Sequence, residues 1–177
     1  MLRLFAAVAV PPEIGEPLVA RQQGLPGARW RPSESFHITL RFFGDLREDA
    51  AADLDVELSS ITSPAFAVTL AGVGAFGEGA DIRAVWAGVE ENPALGRLAK
   101  STETAARRAG LKPETRAFRP HLTLAYLRRP DPARVTAWVQ AHNLLKSSPF
   151  AASSFGLYSS HRTHEGSRYV LEREYAL

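Results

Sequence analysis

The 177-residue chain contains no cysteine. It therefore has no disulfide framework, no thiolate nucleophile and no zinc site of the cysteine-rich kind. Long apolar runs are missing as well: none approaches the roughly 20 residues that a membrane-spanning helix needs. The run 4–10 behind Arg3 has the beginnings of an export signal, but it is short. It stops at Pro11-Pro12 and passes into a charged amphipathic segment without a small-residue cleavage site, so it reads as a first strand. Excess charge is small, with 21 basic and 19 acidic side chains for a net +2. Arginine dominates the basic set, and Arg107-Arg108, Arg116 with Arg119, and Arg128-Arg129 suit either phosphate, through the guanidinium fork, or a plain solvated face. No linker-like or low-complexity stretch marks a boundary, and the length fits one domain or two closely fused lobes.

The pattern predicts a strand over 2–10, a helix opened by Pro11-Pro12 and running to about Gln23, and a strand within 30–43. A helix over about 49–61 follows. Strands over 66–70, 73–76 and 82–89 are separated by glycine-rich turns and suggest an antiparallel hairpin. Asn92-Pro93 is a cap-then-proline start for a helix whose apolar stripe includes Leu95, Leu98, Ala99, Thr102, Ala105, Ala106 and Ala109, with Gly110 as its stop. A strand over 117–127 comes next, and Asp131-Pro132 repeats the cap signal for a helix to His142. Strands over 150–159 and 168–175 close the chain around a polar turn, 161–167.

One segment recurs. Phe36-His37-Ile38-Thr39-Leu40-Arg41-Phe42-Phe43 is matched by Pro120-His121-Leu122-Thr123-Leu124-Ala125-Tyr126-Leu127, which points to two similar halves. Strand alternation puts Phe36, Ile38, Leu40 and Phe42 on an apolar face and His37, Thr39 and Arg41 on the other. In the second copy Leu122, Leu124 and Tyr126 take the apolar face, and His121 and Thr123 stand opposite. Same-face neighbours lie roughly 6 to 7 Å apart, within reach of one phosphate group. If the halves are related by an approximate two-fold axis, two imidazoles and two hydroxyls converge on one groove. Imidazoles titrate near neutrality and make a natural acid and base pair, and the threonine hydroxyls suit non-bridging phosphate oxygens. Arg119, two residues before His121, is a candidate phosphate clamp on the same face. Trp30, Phe43 and Tyr126 are candidates for stacking a terminal base, with core packing as the alternative.

These residues resemble the two-histidine phosphoesterases, and within them the RNA 2′,3′-cyclic phosphodiesterases or 2′-5′ RNA ligase-like proteins. The likeness covers Arg3-Leu4-Phe5 with its Pro-Pro ending, Trp30 ahead of His37-Ile38-Thr39-Leu40, Phe43-Gly44, Phe118 to Leu124, and the closing Gly166-x-Arg168-Tyr169. It departs at Ser159-Ser160, where the family often has Glu-Ser, so no acidic role carries over there. The resemblance implies an α+β, bilobal, pseudo-two-fold fold, two antiparallel sheets lining a central cleft with helices outside, in a single domain over 1–177. It implies hydrolysis of an RNA 2′,3′-cyclic phosphate to a 2′-phosphomonoester, with 2′-5′ ligation as the reverse type of step. His37 would protonate the leaving oxygen and His121 would take the proton from water, with no metal and no cofactor. The expected partner is an RNA end bearing the cyclic phosphate, tRNA fragments among them, and the expected state is a cytoplasmic monomer without membrane contact. Two competing readings are a metal-dependent hydrolase built on His161-x-x-His164 and a non-catalytic RNA-end binding protein. His142 reads as a capping or surface residue.

Overall fold

Strand β1 (Leu2–Ala9) is buried from Leu4 to Val8 and forms the middle of a sheet in the computed structural model, which describes residues 1–177. Its antiparallel neighbours are β3 (His37–Leu46) on one side and β9 (Ser154–Thr163) on the other, with β10 (Gly166–Ala176) beyond β9. A second antiparallel sheet has the order β2 (Arg29–Trp30), β7 (His121–Tyr126), β6 (Ala84–Val89) and β5 (Leu70–Phe76). A small third sheet pairs β4 (Phe66–Val68) with β8 (Phe150–Ala152). The α+β architecture of two antiparallel sheets is the one anticipated from the sequence.

The sheets are not the two halves of the chain. The C-terminal hairpin β9–β10 completes the sheet that β1 began, whereas β2, from the first half, is the edge strand beside β7. Each recurring motif thus lies in a different sheet, β3 in the first and β7 in the second, but each sheet is built from segments far apart in sequence.

Helix α1 (Pro12–Val19) stops short of the expected Gln23. Pro17 lies inside it and lacks the N–H that would bond the previous turn. Beyond it the chain tightens into i to i+3 bonds, Arg21 N–H to the Leu18 carbonyl and Gln22 N–H to the Val19 carbonyl, both 3.0 Å. Helix α2 (Glu48–Ser59) packs on α3 (Pro93–Arg108), and α3 lies against β3. Asn92 caps α3 by accepting from the Leu95 N–H at 3.0 Å, and Leu95, Leu98, Ala99, Thr102, Ala105 and Ala106 are buried, the stripe read from the sequence. Thr102 keeps its buried hydroxyl satisfied on the Ala99 carbonyl at 2.7 Å. Helix α4 (Pro132–His142), capped by Asp131, packs against β5. The Trp138 indole donates to the Arg21 carbonyl at 3.0 Å and ties α4 to the end of α1.

Several strand boundaries differ from expectation: the 66–70 strand divides into β4 and the start of β5, and the 150–159 strand into β8 and β9, each pair split between sheets. The strand expected over 117–127 starts only at His121, because Pro120 has no N–H for a ladder. The expected 161–167 turn is mostly strand: β9 continues to Thr163 and β10 resumes at Gly166, leaving His164 and Glu165 as the tip.

Candidate active site

Both motif strands carry the same irregularity. Against β1, Thr39 pairs with Ala7 and Arg41 with Ala6, so Leu40 is an extra residue; against β6, Thr123 pairs with Trp86 and Ala125 with Val85, so Leu124 is extra. A bulge lets two consecutive side chains point to one side and resets the alternation after it. Leu40 and Leu124 stay in the core, and the next residues follow them: Ala125 is fully buried, and Arg41 leaves the groove. This corrects the sequence reading of Arg41 as a neighbour of His37. Its guanidinium instead bonds Glu103 at 2.5 Å and the Lys112 carbonyl at 2.7 Å, pinning β3 to α3 and to the segment leading to His121. Phe42 and Tyr126, expected on the apolar faces, line the groove.

That groove, about 260 Å³, is lined by residues of both sheets and brings together His37, Thr39, His121 and Thr123. Each imidazole is set by the carbonyl two residues before it: Nδ1 of His37 donates to Ser35 at 2.7 Å, and Nδ1 of His121 donates to Arg119 at 2.6 Å. A carbonyl oxygen can only accept, so the proton of each neutral ring sits on Nδ1. Nε2 is left with its lone pair and no protein partner.

Aromatic side chains wall both rings. Phe5 and Tyr169 stand 5.0 and 5.1 Å from His37, centroid to centroid, and Phe76 and Trp86 stand 4.7 and 6.4 Å from His121. The Trp86 ring lies flat over Gly74, where an added Cβ would come within 2.3 Å of it, so only glycine admits this packing. Burial pushes the His37 imidazole down to about 4; the Ser35 carbonyl opposes this, while the charges of Arg31 and His121 push the same way. Burial likewise holds His121 below the ordinary imidazole value, against its bond to the Arg119 carbonyl. The Tyr169 phenol is pushed up to about 12, mainly by burial, and stays neutral.

Two arginines line the groove, and no carboxylate does. Arg3 lies over the Phe42 ring at 5.0 Å and faces Asp45 at 3.7 Å. Arg31 lies over the Tyr169 ring at 5.1 Å and donates through Nη2 to the Ser167 carbonyl at 2.8 Å. Neither carries a sequence signal for phosphate: Arg3 belongs to the opening strand motif, and Arg31 stands six residues before His37, outside the repeat. Arg119, the clamp expected from the sequence, is exposed and outside the lining, because Pro120 interrupts the strand on which the same-face argument rested. What it gives His121 is its backbone carbonyl.

A wider cavity of about 620 Å³ opens beside the groove and shares Arg31, Ser35, His37, Ser167 and Tyr169 with it. Its outer wall includes Glu34, Tyr158 and the hairpin tip His164-Glu165. Of the stacking candidates, Trp30 packs on Trp138 with centroids 6.2 Å apart, and Phe43 packs against the core, so only Tyr126 faces the groove. The metal reading finds no ligand set: no three histidine or acidic side chains cluster closely enough to hold an ion. His161 instead bonds the Ser159 hydroxyl at 2.8 Å through Nε2, the buried Ser159 also donates to Glu172, and Ser160 reaches the groove. His142, at the end of α4, packs on Trp138, centroids 5.0 Å apart.

The sequence profile of the 2′-5′ RNA ligase superfamily matches residues 10–164. An RNA 2′,3′-cyclic phosphodiesterase of Archaeoglobus fulgidus is 35% identical over 134 residues, 74% of this chain and 76% of the relative. One of Escherichia coli K12 is 31% identical over 179 residues, 99% of this chain and 96% of the relative. The crystal structure of E. coli LigT complexed with 3′-AMP superposes with a TM-score of 0.81 at 28% identity, covering 99% of this chain and 98% of that one. No helix of the chain is long and apolar enough to cross a membrane.

Proposed function

The chain belongs to the 2′-5′ RNA ligase superfamily, and from that premise we propose that it opens RNA 2′,3′-cyclic phosphate ends to 2′-phosphomonoesters by metal-free acid and base catalysis. The observation that carries this reading is the duplicated imidazole setting. His37 and His121 face one groove from two sheets, each with Nδ1 tied to a carbonyl and Nε2 free. The RNA cyclic phosphodiesterases of A. fulgidus and E. coli support the choice of substrate.

In the proposed reaction Nε2 of His121 takes a proton from water as its oxygen attacks phosphorus. The bond to the ribose 3′ oxygen breaks, and Nε2 of His37 protonates that oxygen as it leaves. Thr39 and Thr123 donate their hydroxyls to the non-bridging oxygens, where charge builds in the transition state. Burial leaves His37 neutral at pH 7, so its role as acid depends on substrate. A bound phosphate anion favours the charged imidazole and draws a proton onto it. Run in the same direction, with a 5′-hydroxyl in place of water as the attacking group, the same groups would form a 2′-5′ linkage as the 3′ oxygen leaves. A single two-lobed domain acting as a cytoplasmic monomer on RNA ends, tRNA fragments among them, is part of the same proposal.

The test is hydrolysis of a nucleoside 2′,3′-cyclic phosphate with and without chelator, with identification of the phosphomonoester. Wild type should form the 2′-phosphate in chelator, and His37→Ala and His121→Ala should each lose about 10²- to 10⁴-fold in kcat/KM. Activity surviving either substitution, or lost with chelator, would overturn the mechanism.

A further inference from the structure

We propose that Arg31 is the phosphate-binding cation of the groove, held in place by the C-terminal hairpin; this rests on the proposed cyclic phosphate reading. The residue sits where the two sheets meet. Its backbone N–H bonds the carbonyl of the bulge residue Leu124 at 2.8 Å, anchoring it beside β7, while its guanidinium crosses to the Ser167 carbonyl on β10, also at 2.8 Å. Gln22 holds it from behind by donating to its carbonyl at 2.7 Å.

The guanidinium is oriented but not consumed by these contacts. Of its five N–H donors, one is committed to Ser167, and its face rests on Tyr169. No carboxylate pairs with it, whereas Arg3, the other cation of the groove, faces Asp45. A planar fork with free donors, stacked on an aromatic ring and without a counterion, suits the paired oxygens of a phosphate. Arg31 also borders both the groove and the wider cavity, so a phosphate held there lies beside His37. Gly166 turns the hairpin tip close beside the arginine. It has φ 126°, and a Cβ there would approach the guanidiniums of Arg29 and Arg31 to 3.0 and 3.4 Å.

The chemical consequence is a division of labour. Thr39 and Thr123 offer neutral donors, and Arg31 offers the compensating charge for an anion that enters a site walled by aromatics. With phosphate between them, the repulsion between Arg31 and a protonated His37 is offset by attraction of both to the anion.

The experiment titrates inorganic phosphate into wild type, Arg31→Met, Arg31→Lys and Arg119→Ala, following the imidazole Cε1–H resonances of His37 and His121 by NMR. In parallel, kcat/KM is measured on a nucleoside 2′,3′-cyclic phosphate. Arg31→Met should weaken phosphate binding at least about tenfold and lower kcat/KM by about 10²-fold. Arg31→Lys should fall between it and wild type, and Arg119→Ala should behave as wild type. Guanidinium ion added to Arg31→Ala should restore turnover, which a purely structural bridge would not show. Phosphate binding and kcat/KM of Arg31→Met within twofold of wild type would overturn the proposal, and so would losses matched by a fall in Tm with no guanidinium rescue. If wild type opens no cyclic phosphate, the proposed reaction fails, but the phosphate titration still decides the role of Arg31.

Discussion

Phe42 and Tyr126 occupy equivalent places in the two motif strands, each two residues beyond an extra leucine, Leu40 or Leu124, and each turned into the groove. The bulge therefore belongs to the motif as much as the histidine and threonine do. It leaves the leucine in the core, takes the following residue out of the groove, and supplies an aromatic wall from a position that strict alternation would have buried.

This division separates stability from function within three residues of β7. Leu124 is fully buried, and Leu124→Ala should lower stability by about 2 to 5 kcal/mol through lost burial and a cavity. Tyr126 is 44% exposed, and Tyr126→Ala should change stability by less than about 1 kcal/mol while altering KM. Urea denaturation midpoints together with steady-state kinetics on the two variants check both statements.

The pH dependence of kcat/KM reports the free enzyme, whose active form carries one proton on the imidazole pair. Burial depresses both rings, His37 to about 4 and His121 below the ordinary 6.5. The optimum of kcat/KM should accordingly lie on the acid side of 6.5, and the kcat profile at higher pH, because bound phosphate favours the charged rings. A basic limb of kcat/KM above pH 7 would show that the rings are not depressed.

Stability should fall on mild acidification. The unfolded chain protonates His37 near 6.5, while the folded chain resists to about 4, so unfolding takes up a proton between these values. The contribution is fully present above 6.5 and is lost as pH drops toward 4, by an amount on the order of 2 to 3 kcal/mol. Urea midpoints measured from pH 7 to pH 4.5 should decline more steeply for wild type than for His37→Gln.

Arg119 should be replaceable. Its guanidinium lies outside the groove, and the carbonyl that orients His121 survives substitution. Arg119→Ala should keep kcat/KM within about twofold, the scale of ordinary surface changes. Arg119→Pro would test the backbone instead, by altering the geometry that presents that carbonyl.

Much of the fold was legible because its signals are local. Asn92-Pro93 and Asp131-Pro132 cap their helices as read, and the α3 stripe is buried from Leu95 to Ala106, with Ala109 half-buried at the C-cap. The early stop of α1 is also written in the chain, at Pro17, although the helical periodicity runs on past it. Gly74, by contrast, is explained only by a side chain that arrives from another strand, the Trp86 ring.

The chemistry present follows from the order of residues alone: no thiols, two His-x-Thr strands, and the elements that carry them. The folded chain decided which groups accompany the histidines. A bulge is set by the pairing of two strands, so nothing within Leu40-Arg41-Phe42 announces that Arg41 turns away and Phe42 turns in. Arg31 meets Ser167 across 136 residues, because the C-terminal hairpin joins the sheet begun by β1 while β2 joins the other. Local rules fix the face of a strand only while its ladder is regular, and they carry no information about which distant strand closes the groove.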